Sequence, residues 1–179
     1  TALQCMRPQE GYQAPPIAHY HHTYEEILVI RGCFSFDSTN WLEPRSYCFH
    51  PPETVHGFKS AVREESWFLS RVGRNLDVNL VPEPVRLSPY YVSSLPPPRA
   101  VAVHTQPERQ VGWHDIAFGS PQVEAGICVL SRDPASGEGS VLLRLPAGAI
   151  LPARAALGTY LEYFVLEGDI SESSGAPRG

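Results

Sequence analysis

Apolar residues in this chain come in short runs cut by proline, glycine and polar clusters. "EEILVIRGCFSFD" (25–37), "RSYCFHPP" (45–52), "ESWFLSRV" (65–72), "AGICVLSRD" (125–133), "SVLLRLPAG" (140–148) and "LEYFVLEGDI" (161–170) are rich in Val, Ile, Leu and aromatics. Turn-forming residues bound each run, and each has the length of a strand. No window of useful length carries the 3.6-residue period of a helix. The pattern predicts an all-β chain, sandwich or barrel. In 25–31, Ile27 and Val29 alternate with Leu28 and Ile30, so the strand is apolar on both faces and both should be covered.

Proline sets the division of the chain. Pro82, Pro84, Pro89, Pro96, Pro97, Pro98 and Pro107 crowd one stretch, and proline cannot donate to a strand ladder. Residues 82–107 therefore read as an extended linker between a unit at 1–81 and a second at 108–179. The two units look related. "YEEILVIRG" (24–32) aligns without gaps to "YLEYFVLEG" (160–168), and Gly- and Pro-containing lead-ins, "GYQAPPIA" and "AGAILPAR", precede both. The repeat predicts a duplicated β-domain. The closing "SESSGAPRG" has too little apolar surface to pack.

Composition narrows the function classes. A net charge of −5 without a Lys/Arg stripe leaves no footprint for nucleic acid. No apolar run approaches the roughly 20 residues that span a bilayer, so no membrane partner is expected. Cys5, Cys33, Cys48 and Cys128 lack C-x-x-C spacing; they read as small buried hydrophobes in a reducing cytoplasm. No Ser-His-Asp pattern, phosphate loop or dinucleotide fingerprint stands out.

The chemistry concentrates in "AHYHHTYEEILVIRG" (18–32). On a strand, residues i and i+2 share a face, about 6.6 Å apart. His19, His21 and Glu25 share parity, whereas His22 and Glu26 have the other, so without a bulge Glu25 faces the histidines and Glu26 points out. Two imidazoles and a carboxylate suit Fe, Mn, Ni or Zn. A further ligand is expected from His56 in "FHPPETVHGF". His50, before the proline turn, reads as a neighbour able to replace His56 if the turn is distorted. His104 and His114 carry no assigned chemistry, and Asp77 and Glu108 read as solvated charges. Phe34, Phe36, Tyr47, Phe49, Phe58, Trp67 and Phe68 line either a core or an aromatic pocket. Tyr47 and Phe49 share one face of their strand, Cys48 and His50 the other.

These residues resemble a known family. His19-x-His21-x3-Glu25-x6-Gly32 has the spacing of the first cupin motif, and "PRSYCFHPPETVHGFKS" (44–60) resembles the second. The finer texture resembles the ChrR-type cupins, a group that includes the zinc-binding domain of an anti-sigma factor and dihydroxyacetophenone-dioxygenase-like proteins. The resemblance covers about residues 11–72 and 112–170. It implies two jelly-roll-like cupin barrels in tandem (a bicupin), with one divalent ion per chain, Fe(II) or Zn first and Mn or Ni next. It implies His19, His21, Glu25 and His56 as ligands, with Glu25 also acting as a base in some members. It further implies a small-molecule substrate and a homodimer. Dioxygenase chemistry is the favoured activity, and a zinc-containing sensor without catalysis is the alternative.

The departures are specific. The family pattern has glycine where this chain has Arg45 and Glu53, and asparagine at Ser60. In the second copy, His19, His21 and Glu25 become Ala155, Leu157 and Leu161, so that barrel is expected to be metal-free, structural and cut short. Glu26 persists there as Glu162 without the ligands, which marks Glu26 as strand framework.

Overall fold

The computed structural model of the chain describes residues 1–13, 15–82, 90–95, 97–118, 123–150 and 160–171. The architecture is all-β. The strands are β1 (Ala2–Met6), β2 (Ala18–Tyr20), β3 (Glu25–Arg31), β4 (Phe34–Ser35), β5 (Tyr47–His50), β6 (Ala61–Val62), β7 (Ser66–Val72) and β8 (Asn79–Val81). They continue with β9 (Ala102–His104), β10 (His114–Phe118), β11 (Val123–Arg132) and β12 (Gly139–Arg144), and a single helical turn, α1 (Pro107–Gln110), precedes β10. The strands form a five-stranded sheet of order β1-β7-β3-β5-β9, a three-stranded sheet β10-β11-β12, and the pairs β2-β8 and β4-β6. Among the described residues no sheet closes on itself, and no helix is long and apolar enough to cross a membrane.

The large sheet is covered on both faces, as the two-sided apolar pattern of β3 requires. On one face Ile27, Val29, Phe34, Phe36, Leu42, Cys48 and Phe68 form a buried cluster. On the other, Tyr47 and Phe49 pack with Cys128, Leu130 and Leu142 from β11 and β12. The proline-rich stretch does more than connect the halves, because its residues 102–104 form β9 and pair with β5. Pro84, Pro89 and Pro96 lie outside the described residues.

An ionic cluster joins the same faces. Glu26 is 4% exposed and so does not point into water; it points away from the histidines, into the contact with β12. Its carboxylate accepts hydrogen bonds from the Tyr47 hydroxyl (2.6 Å), the Ser140 hydroxyl (2.6 Å), Arg71 (3.1 Å) and the buried Arg99 (3.4 Å). A buried carboxylate persists only with such partners.

Two expectations need correction. The run at 161–170 is not a strand: it pairs with no described strand, and Tyr160, Leu161, Phe164 and Val165 are exposed. β3 differs in being flanked by β5 and β7, and a ladder forms only where a neighbour satisfies its backbone groups. Ala155, Leu157 and the tail after residue 171 lie outside the described residues. Among the cysteines, Cys5 is exposed while Cys33, Cys48 and Cys128 are buried, all as free thiols.

Candidate metal centre

Three separate backbone segments carry the histidine and glutamate side chains to one place. β2 ends at Tyr20, the chain bends through 22–23, and β3 starts at Glu25. His19 and Glu25 therefore sit in different sheets, not on the single continuous strand that the parity argument assumed. His56 arrives opposite His19, with each backbone N–H donating to the other's carbonyl at 2.8 Å. His21 is fastened to the same loop, since the Glu53 N–H donates to the His21 carbonyl at 2.7 Å.

The rings converge. His19 and His56 have centroids 4.6 Å apart, His19 and His21 4.9 Å, and His21 and His56 5.2 Å. One nitrogen from each of His19, His21 and His56 lies within 4.8 Å of the others, and Glu25, His50 and His56 form a second such set. These groups could hold a metal ion. Glu25 Oε2 is 3.1 Å from His56 Nε2 and 3.9 Å from His21 Nε2.

The outer nitrogens are fixed by main-chain carbonyls. His56 Nδ1 donates to the Thr54 carbonyl at 2.8 Å, and His21 Nδ1 donates to the Asp77 carbonyl. Both inner Nε2 atoms are thereby turned toward the Glu25 carboxylate; His56 Nε2 is within hydrogen-bond distance of it, and His21 Nε2 is buried without a partner. Acceptors that face one another this closely need a proton or a metal cation between them. Carbonyls behind ligating imidazoles are the usual device for orienting them toward an ion.

Electrostatics keep His19 and His50 neutral and Glu25 ionised. Burial, then the charges of His56 and His21, hold the His19 imidazole down at about 4, so it is neutral near pH 7. Burial and the charges of His56, His19 and His21 keep His50 far below the ordinary histidine range. At Glu25 burial pushes the carboxyl up, but the hydrogen bond and charge of His56, joined by His21 and His19, outweigh it and keep the group below the usual carboxylate range.

His19 forms the open side of the cluster. A cavity of about 260 Å³ reaches its ring, walled by Tyr12, Ile17, Leu80, Ser60 and Gly57. Gly57 is required there: a Cβ would fall 2.3 Å from His19 Cε1 and 2.7 Å from His19 Nδ1, at a φ of +80°.

The remaining sequence candidates separate cleanly. His22 turns outward and pairs with the Asp77 carboxylate at 2.6 Å. His104 stacks on Tyr47 and hydrogen-bonds the Leu130 carbonyl, and His114 is exposed on β10. Cys48 and His50 share the face that meets the cluster, with Phe36 edge-on to both His50 and His56. Spacing had not singled out Asp77, Thr54 or Gly57, because their roles are a carbonyl, a carbonyl and an absent side chain. Only glycine next to the last histidine was visible as a signal for Gly57. No protein family, curated protein or solved structure matches the chain.

Proposed function

We propose that this chain is a metal-dependent protein of the cupin type, holding one divalent ion through His19, His21, Glu25 and His56. We propose further that it is a mononuclear non-haem dioxygenase acting on a small apolar or aromatic oxygenated compound. The observation that carries the metal reading is the convergence of inner atoms: the Nε2 atoms of His21 and His56 and a Glu25 carboxylate oxygen face one another, with both outer nitrogens already used. A proton serves one such pair, whereas a metal ion serves all of them at once.

The backbone supports the cupin reading where the sequence departs from it. Arg45 and Glu53 stand where the family pattern has glycine, and both adopt positive φ, +72° and +63°. The turn thus keeps the left-handed conformation at a cost of about 1–2 kcal/mol per residue. The tandem arrangement belongs to the same proposal; Gly32 and Gly168, aligned in the repeat, both have a φ of +80°.

An ion bound here would supply Lewis-acid polarisation of a coordinated oxygen and, if iron, one-electron chemistry with O2. The chain supplies the rest. Tyr12, Ile17 and Leu80 offer apolar surface to the body of a ligand arriving beside His19. Glu25 is the carboxylate of the cluster and the group to take a proton from an enolisable substrate. Phe36 and the buried histidine rings keep water from the far side.

Metal analysis of the purified chain tests the site: near one equivalent is expected, lost in His21→Ala. A chain that takes up no ion after reconstitution with Fe(II) or Zn refutes it. Iron with O2 uptake on a panel of diketones and hydroxyketones supports the enzyme. Tightly held zinc without turnover decides for the regulatory alternative.

A further inference from the structure

The buried cluster contains one imidazole beyond the ligand set that the resemblance implies. His50 ends β5 and is the direct cross-strand partner of Glu25 in the β3–β5 ladder. Directly opposed residues put their side chains on the same face with Cβ atoms about 5 Å apart. The register therefore places His50 beside Glu25 as firmly as the His19–His56 bridge places those two together.

The His50 ring stacks on His56, with centroids 4.2 Å apart and planes inclined by 22°. It is 3% exposed, and its Nδ1 is buried without a hydrogen-bond partner. A buried polar atom left unpaired costs about 1–3 kcal/mol. Val29, Phe34, Phe36 and Phe68 already form an apolar cluster on this face, so an apolar side chain would pack here without that cost. An ion would remove the cost while keeping the imidazole.

Two overlapping donor sets, His19/His21/His56 and Glu25/His50/His56, raise the question of one ion or two. His56 answers it. Its Nδ1 donates to the Thr54 carbonyl, so the ring offers a single lone pair, on Nε2, and one lone pair serves one ion. Because both sets need that lone pair, they cannot hold two ions at once.

We propose that His50 is an additional ligand of this centre, so that one ion is held by four imidazoles and the Glu25 carboxylate. This rests on the metal reading above and deepens it. Five protein donors would leave a six-coordinate ion one further position, and the cavity beside His19 is the approach to the cluster. That position would take one substrate oxygen or O2, so a bidentate substrate, or substrate and O2 together, would have to displace one protein donor.

The test uses Co(II) and Cu(II) with the full chain. Pulsed electron paramagnetic resonance of the Cu(II)-loaded unmutated protein counts coordinated imidazoles: four support the proposal, and three overturn it while leaving the metal reading intact. His50→Phe keeps the ring that stacks on His56 and removes the donor. Its circular dichroism should match the unmutated chain, its Co(II) affinity should fall at least about tenfold, and its Co(II) visible band should intensify as coordination number drops. Unchanged affinity and an unchanged band overturn the proposal. If the unmutated chain binds neither ion, this inference falls with the metal reading itself.

Discussion

Gly57→Ala separates what the backbone needs from what the site needs. The residue has a φ of +80°, and its added Cβ would lie 2.3 Å from His19 Cε1. Carbon atoms settle at about 3.5–4.0 Å, so the imidazole must retreat by more than about 1 Å. Metal–ligand distances hold within about 0.2 Å. The displacement is several times that tolerance, and His19 should be lost as a ligand. Holding alanine in the left-handed region costs about 1–2 kcal/mol, partly offset by about 0.5–1 kcal/mol from a less flexible unfolded chain. Denaturant unfolding should therefore show a loss of about 1.5 kcal/mol or less. Metal affinity, measured by competition with a chromogenic chelator, should fall on the order of 10–100-fold, the loss typical when a ligand's support is removed. Gly112→Ala is the control, because Gly112 has a φ of +85° with nothing near its Cβ. It should show the same stability loss and no change in affinity. Equal metal affinities for the two variants would refute the reasoning.

Glu26→Ala should destabilise the chain by up to about 3–5 kcal/mol, since it leaves the buried Arg99 with only the Glu138 carboxylate at 3.8 Å; the folded fraction should still bind metal, and a variant that loses metal at full stability argues against this role. Glu53→Gly should stabilise by about 0.5–1 kcal/mol in chemical denaturation, because the position holds a φ of +63° that glycine adopts freely; a loss of stability would show that the Glu53 side chain matters more than its backbone. The pH dependence follows from His19, whose folded value near 4 lies below the ordinary 6.5. Between those values the unfolded chain binds the proton and the folded chain does not, so stability falls as pH drops from about 6.5 to 4. His19 is partly in contact with water, which reduces its share to on the order of 1–2 kcal/mol, and His50 adds a loss of the same sign. Unfolding midpoints of chelator-treated protein at pH 7 and pH 4.5 check this, and equal midpoints would contradict it. Bound metal should move the loss to lower pH, because the ion competes with the proton.

Much of the site was legible in the chain because local spacing carries it. His19 and His21 sit two residues apart, and the proline turn of "HPPETVH" delivers His56. The all-β class was legible from run lengths and turn residues. What stayed hidden depends on pairings between distant segments. The Glu25–His50 pairing joins positions separated by residues 26–49, which no local pattern encodes. The partners of Glu26 come from Arg71, Arg99 and Ser140, spread along the chain, so its burial could not be read from parity alone. Residues 161–170 show the converse: a strand-like composition without a neighbouring strand stays exposed. At Arg45 and Glu53 residue type argued against a left-handed turn, and the closed loop imposed it anyway.

The two adjacent glutamates face opposite ways because β3 keeps one register. Against β7 its pairing is regular from Glu25 to Val29, and the irregularity falls later, between Val29 and Arg31. A slip of one residue would exchange the faces of every side chain in that regular span. Glu25 would then meet Arg99 and Tyr47, and Glu26 would meet the histidines. Both carboxylates would still find partners, so charge alone does not forbid the slip. The apolar residues do: Ile27 and Val29 would leave the cluster with Phe34 and Phe68, and Leu28 would leave the contact with Leu130 and Leu142. Fully burying such side chains is worth about 1.5–3 kcal/mol each. Apolar packing therefore chooses the register, and the register decides which glutamate faces the metal centre and which ties the second half to the first.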